Sequence, residues 1–172
     1  MDLLAKISDR VNKYSKYFTA CLLAALTVII TIQVISRRFL GSSLTWSEET
    51  ARYIFIWIIM LGAASGLKEG YHVAITVLMD RLKGKSRKTL DIIVNICILF
   101  LAIFLLAAGV RLAVTISGQL SPAIRLNMFW VYLSVPVSGA IMIIHLASEI
   151  TQNVKGIFAG DSVHTAKDMN AK

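Results

Sequence analysis

Four long apolar stretches dominate the pattern of hydrophobic and polar positions along the chain. Three of them, residues 18–36, 92–110 and 128–146, each run for 19 positions. The first two contain no charged residue, and the third is interrupted only by His145. A helix of this length spans about 28 Å at about 1.5 Å per residue, which is close to the thickness of the bilayer hydrocarbon. These three stretches therefore predict transmembrane helices.

The fourth apolar stretch, residues 53–67, has only 15 positions. Arg52 and Lys68 border it, and both long side chains can extend their charged ends to the membrane surface, so the stretch is still able to span. The pattern predicts an all-α integral membrane protein with one domain over residues 1–155 and a polar tail over 156–172. The four transmembrane helices are predicted at about residues 17–37, 50–69, 88–114 and 127–150.

Two shorter segments have the period of an amphipathic helix. Within residues 1–16, apolar residues recur at intervals of three and four, with Lys and Arg on the rest of each turn. Residues 72–82 show the same arrangement, with Ile75, Leu78 and Leu82 on one face. Helices of this kind lie in the headgroup region of a membrane. We therefore predict an N-terminal and a mid-chain interfacial helix.

The composition and the charge distribution agree with a membrane protein. Hydrophobic residues make up 56% and charged residues 16% of the chain, whereas soluble domains carry about a quarter charged residues. The net charge is +8. If both termini lie on the same side of the membrane, 13 of the 18 Lys and Arg also lie on that side. Basic residues concentrate on the cytoplasmic side, so both termini are predicted to be cytoplasmic. Because this topology accounts for the basic charge, a nucleic-acid partner is not expected.

The predicted spans contain little that could carry chemistry or a charged solute. No Asp, Glu, Lys or Arg lies within the four apolar stretches, although ion-coupled transporters usually need ionisable groups or broken helices near the membrane centre. Cys21 and Cys97 are typical of small packing residues, and the three histidines do not supply the paired imidazoles of a haem site. We predict no enzymatic activity, no cofactor and no metal, and we expect that the chain does not move a solute by itself.

The second predicted helix begins with charged residues at a membrane boundary. Glu48 and Glu49 stand in its first turn, where the helix dipole stabilises negative charge. Glu48 and Arg52 are four positions apart and can form a surface pair worth about 0.2–0.5 kcal/mol. Arg37 and Arg38, across the short loop before this helix, are further candidate partners for the two acids. The aromatic residues predicted to anchor this boundary are Trp46, Tyr53 and Trp57.

The same helix ends in three glycines spaced one turn apart. Gly62, Gly66 and Gly70, followed by His72, would expose a nearly bare ridge of backbone. In lipid, close backbone approach and dispersion contacts hold helices together, because hydrophobicity does not. The ridge is therefore predicted either to pack within the chain's own four helices or to contact another subunit, and the residues leave both possibilities open.

A set of residues in the second and last predicted helices resembles a known family. They are Arg37, Gly41, Trp46, Glu48, Glu49, Arg52, Tyr53, Trp57, Leu61, Gly62, Ala63, Lys68, Gly70, His72, Val73, Trp130, Tyr132 and Pro136. In combination they are similar to the small membrane subunit of tripartite ATP-independent periplasmic (TRAP) transporters. The likeness covers about residues 15–150, and the length, helix count and predicted orientation also fit.

The resemblance implies that the chain acts in the inner membrane of a bacterium with two protein partners, besides the surrounding lipids. A larger membrane subunit would carry the solute and sodium sites and move like an elevator, and a soluble periplasmic protein would deliver the solute. The small subunit would brace the large one and help to form the docking surface, for sodium-coupled uptake of an organic acid such as a C4-dicarboxylate or sialic acid. On this chain, the implied boundary anchor and ridge residues are Trp46, Glu48, Glu49, Arg52, Gly62, Gly66 and His72.

Two other functions remain open from the residues alone. One is a haem- or quinone-binding anchor subunit of a membrane oxidoreductase, for which a Soret band in the visible spectrum would be evidence of haem. The other is a small exporter that works as a homo-oligomer, for which uptake by the chain reconstituted alone would be evidence.

Overall fold

The computed structural model is almost entirely helical over the residues that it describes. It describes the backbone of residues 3–39, 44–69 and 85–169, and the side chains of residues 3–39, 44–69 and 94–151. The helices are α1 (Leu3–Phe39), α2 (Thr45–Lys68), α3 (Lys85–Thr115), α4 (Met128–Tyr132) and α5 (Ser134–Met169). Four stretches within them are long and apolar enough to cross a membrane, which confirms the predicted architecture with four spans. They are Leu3–Phe39, Thr45–Lys68, Val94–Thr115 and Met128–Thr151.

The first helix includes the segment predicted to lie at the membrane surface. α1 continues without a break for 37 residues, about 55 Å at about 1.5 Å per residue, so residues 3–16 are continuous with the first span. The small residues Ser8 and Ser15 are buried, whereas the apolar Leu4 and Tyr14 are exposed. The serine face of these turns therefore packs on the chain and the apolar face is left exposed, and the interfacial position of this segment stays a prediction. The other predicted surface helix, residues 72–82, lies outside the described residues.

The helices form an open arrangement, which we call the open layer. α1, α2 and α5 contact one another, and α3 packs against α5 and the short α4. Among the described residues, α3 contacts neither α1 nor α2, so the helices are not closed into a bundle around a central cavity. Large apolar side chains on the outer helices, such as Val34 of α1 and Phe100 of α3, are consequently exposed, as side chains that face lipid or another membrane subunit are.

The core lies where α2 and α3 flank α5. Its buried members are Ala64 and Leu67 of α2, Ala102 of α3, and Met142 and Leu146 of α5.

Two glycines allow α3 and α5 to approach each other closely. A Cβ atom on Gly139 would lie 2.9 Å from the backbone nitrogen of Leu106, and one on Gly109 would lie 2.9 Å from the Cδ atom of Pro136. Both distances are too short for real carbon contacts, so the α3–α5 interface requires glycine at both positions. This is the interface at which the chain uses glycine for its own packing.

The direction of the helices brings the end of α1, the start of α2 and the loop of residues 116–127 to one end of the layer. α1 and α3 run opposite to α2 and α5, and we call this end the hairpin end. The opposite end holds the start of α1 and the end of α2. Near the hairpin end, Leu133 separates α4 from α5. The helical hydrogen bonds are interrupted here because Pro136 has no N–H to donate to the carbonyl oxygen of Tyr132.

Candidate subunit-interaction site

A carboxylate of α2 holds the loop between α3 and α4 at the hairpin end. One oxygen of Glu49, Oε2, accepts a hydrogen bond from the hydroxyl of Ser121 at 3.1 Å. The same oxygen accepts hydrogen bonds from the backbone N–H groups of Ala123 and Ile124, each at 3.0 Å. Hydrogen bonds to an ionised acceptor are about twice as strong as those between neutral groups. We call this arrangement of Glu49 with residues 121–124 the Glu49 clasp.

The local sequence explains why the loop has free donors to offer. Ser121 and Pro122 begin a single helical turn, and proline suits this first position because it has no N–H. The next two N–H groups have no partner within so short a turn, and Glu49 supplies one. The turn ends at Arg125, whose φ of 51° is the left-handed conformation that residues other than glycine rarely adopt. Its N–H donates to the carbonyl oxygen of Ser121 at 3.2 Å.

Further hydrogen bonds close the base of the loop. The N–H of Met128 donates to the carbonyl oxygen of Gln119 at 3.0 Å. Asn127 then caps α4, because its side-chain oxygen accepts a hydrogen bond from the N–H of Phe129 at 2.9 Å. The loop is thus tied to α2 by the clasp and to α4 by its own backbone, which fixes its position at the hairpin end.

The predicted aromatic anchor Trp57 joins three helices. Its indole Nε1–H donates to the carbonyl oxygen of Trp130 in α4 at 3.1 Å. Its ring meets that of Phe18 in α1 edge to face, with 6.3 Å between the ring centroids. An apolar groove of about 210 Å³, lined by these side chains together with Tyr53 and Ile124, runs between the helices below the loop. Trp46, the other predicted anchor at this boundary, is 43% exposed.

The two adjacent acids of α2 have different partners. Glu48 pairs with Arg52 one turn along the helix, with 3.2 Å between Oε1 and the guanidinium nitrogen, as its spacing suggests. Glu49 instead binds the loop, so the predicted pairing of one of the two acids with a nearby arginine is made by Glu48 and Arg52. Among the described residues, neither Arg37 nor Arg38 forms an ion pair with either acid, and both arginines are exposed.

The glycine ridge of α2 faces away from the rest of the chain. A Cβ atom built on Gly62 or Gly66 would have no heavy atom within 4 Å. Ala64 and Leu67, on the other side of the helix, are buried. Packing within the chain's own helices is therefore ruled out as the role of these two glycines, within the part of the chain that the structure describes. The other two members of the predicted ridge, Gly70 and His72, lie outside the described residues.

Polar side chains join α1 to α2 and α5 at the opposite end. Ser8 and the Nδ1 atom of His145 are 2.8 Å apart in a buried hydrogen bond. Lys68 donates to Asp9 at 2.5 Å, and Lys16 pairs with Glu69. His145 is therefore part of a contact between helices, and this contact explains why the serine face of α1 packs.

The four apolar helices define the chain as a polytopic membrane protein, and these helices form an open layer. The chain belongs to the DctQ component family of tripartite ATP-independent periplasmic transporters, whose family model matches residues 26–156. It is therefore a component of a membrane transport system and not an enzyme.

Curated relatives agree with this membership. The sialic acid TRAP transporter small permease protein SiaQ of Vibrio cholerae is 28% identical over 155 residues, which cover 90% of this chain and 88% of SiaQ. The isethionate TRAP transporter permease protein DctMQ of Oleidesulfovibrio alaskensis is 31% identical over 160 residues. That match covers 87% of this chain but only 25% of DctMQ, so the chain spans a quarter of this relative's length. The C4-dicarboxylate protein DctQ of Rhodobacter capsulatus is 33% identical over 104 residues, 59% of this chain and 46% of DctQ.

Proposed function

We propose that the chain is the small subunit of a TRAP transporter in a bacterial inner membrane, and that it braces a larger membrane subunit. The large subunit carries the solute and the coupling sodium ions, and a soluble periplasmic protein delivers the solute to it. Both termini of the small subunit are cytoplasmic, and the hairpin end faces the periplasm. The solute is an organic acid, with a C4-dicarboxylate or sialic acid the classes that the relatives' names favour.

The outward-facing ridge of α2 is the observation that carries this proposal. Gly62 and Gly66 expose backbone on a surface that no other helix of the described chain covers. Bare backbone of this kind allows a second transmembrane helix to approach closely, which is how helices associate in lipid. We assign this surface to contact with the large subunit.

The clasp and the aromatic anchor support the part of the proposal that concerns the hairpin end. A surface that receives a second protein binds better when it is held in place beforehand, since less ordering is then needed on binding. Glu49 and Trp57 fix the loop and α4 relative to α2 in this way. Trp46, Glu48 and Arg52 lie beside them on α2 and complete the proposed boundary anchor, together with Arg37 and Arg38.

Affinity purification from bacterial membranes tests the proposed partnership. The chain with an affinity tag, extracted in a mild detergent, is expected to co-purify in a fixed ratio with a polytopic protein several times its size. Mass spectrometry should identify that protein as a TRAP large subunit. An unrelated tagged four-span protein is the control. Recovery of the chain alone, or with a haem-containing oxidoreductase that shows a Soret band, would contradict the proposal.

A further inference from the structure

The charges at the hairpin end are unusual in kind as well as in number. Residues 37–52 and 111–127, which make up this end, contain five Arg, two Glu, and no Lys or Asp. The whole chain has ten Lys, and none of them lies here. Arg binds carboxylates through two parallel hydrogen bonds, whereas Lys acts as a point charge, so an end with only Arg favours carboxylate recognition.

Neither acid at this end is available to neutralise the remaining arginines. Glu48 is paired with Arg52, and Glu49 is occupied by the three donors of the clasp. Four arginines are left, all of them exposed and none with an ion pair among the residues that the structure describes. We call these four the arginine rim: Arg37, Arg38, Arg111 and Arg125.

The arginine rim extends over several helices. Arg37 and Arg38 lie on α1 and Arg111 lies on α3, two helices that do not contact each other among the described residues. Helix axes pack about 8–10 Å apart, so these arginines are spread over more than about 10 Å. Such a spread suits a protein partner, whose footprint typically covers about 800 Å² on each side, better than a single small anion.

Arg125 distinguishes a protein partner from the lipid headgroups. Arginines near helix ends, such as Arg38 and Arg111, can reach the headgroups of any membrane by extending their side chains. Arg125 lies instead on the loop, in a left-handed backbone conformation, at the end of the turn that the clasp holds. A loop held in this way fixes the backbone from which the Arg125 side chain extends, which benefits a shaped partner surface and not a fluid layer of headgroups.

We infer that the arginine rim docks an acidic face, rich in Asp and Glu carboxylates, on the soluble solute-binding protein. The inference rests on the proposed function, because that function places the hairpin end in the periplasm. The rim mainly affects the rate at which the two proteins associate. Opposite charges steer them together and raise the association rate constant, and added salt weakens this effect.

The test compares two triple variants that remove the same amount of charge. One is Arg37→Gln, Arg38→Gln, Arg125→Gln at the hairpin end, and the other is Lys6→Gln, Arg10→Gln, Lys13→Gln at the opposite end. Each is purified with the large subunit in nanodiscs of neutral phosphatidylcholine. The association rate constant with the solute-binding protein is measured at constant sodium, while choline chloride sets the ionic strength.

The first variant is expected to associate about tenfold more slowly than the wild type at low ionic strength, and the difference should shrink as choline chloride is added. The second variant should associate at the wild-type rate. Arg125→Lys, which keeps the charge, should associate faster than Arg125→Gln.

Equal association rates for the two triple variants would overturn the inference, as would a rate difference that appears only in nanodiscs of anionic lipid. The latter result would assign the rim to headgroups. These outcomes differ from a failure of the proposed function, in which the wild-type chain would not form a complex with the large subunit at all.

Discussion

Leucine at positions 62 and 66 is expected to abolish co-purification of the chain with its large subunit while the chain itself still folds. A Cβ atom at either position has no other described residue within 4 Å, so the two leucine side chains begin in open space. Against a closely packed partner helix they would hold the two backbones apart and remove the contacts that drive association in lipid. We expect at least about a tenfold loss of large subunit recovered per mole of tagged chain, measured by quantitative mass spectrometry.

Gly139→Leu is the matched control, because Gly139 is also a helix glycine but faces inward. Its new side chain would collide with the backbone of α3 at Leu106 and Ala102. Overpacking of this kind typically destabilises a protein by about 1–3 kcal/mol, so this variant should lower the melting temperature of the purified chain in detergent. Leucine at positions 62 and 66 should leave that temperature unchanged. Full recovery of the large subunit with Gly62→Leu, Gly66→Leu would show that the ridge faces lipid.

Glu49→Ala is expected to release the loop between α3 and α4 and to reduce solute uptake by the assembled transporter. The substitution leaves the N–H groups of Ala123 and Ile124 without their acceptor. It also removes the carboxylate of α2 that holds this turn. Backbone amides in residues 119–127 should then exchange with deuterium at least about tenfold faster, because local opening sets the rate. Hydrogen exchange followed by mass spectrometry measures this directly.

Glu48→Ala provides the control for this prediction. Glu48 is the adjacent residue and carries the same charge, but its exposed pair with Arg52 contributes little to stability. Exchange in residues 119–127 should therefore stay close to wild type. If both alanine variants exchanged at the same rate, the clasp would not be what holds the loop.

The spans could be predicted from the sequence because membrane thickness constrains them so strongly. Even the short stretch 53–67 was identified, since its bordering Arg52 and Lys68 extend its reach, and α2 covers it in full. The role of Glu49 could not be deduced in the same way. Its three partners in the clasp lie more than 70 positions away, and two of them are backbone N–H groups, which every residue but proline possesses. Only Ser121-Pro122, a typical start of a helical turn, signalled free donors there.

The two sets of glycines show a similar limit. Gly62 and Gly66 attract attention because they repeat on one helix, yet no residue of the described chain packs on them. Gly109 and Gly139 form the tight contact within the chain, but they belong to different helices and no repeat connects them. Periodicity identifies a face of a helix and not the neighbour that covers it.

Uptake by reconstituted vesicles tests the central claim, that this chain supports a transporter and does not transport by itself. Three preparations are compared under an inward sodium gradient with the solute-loaded binding protein outside: the chain alone, the large subunit alone, and the two together. The account predicts sodium-dependent accumulation of the solute only when both subunits are present. Accumulation by vesicles that contain this chain alone would contradict it.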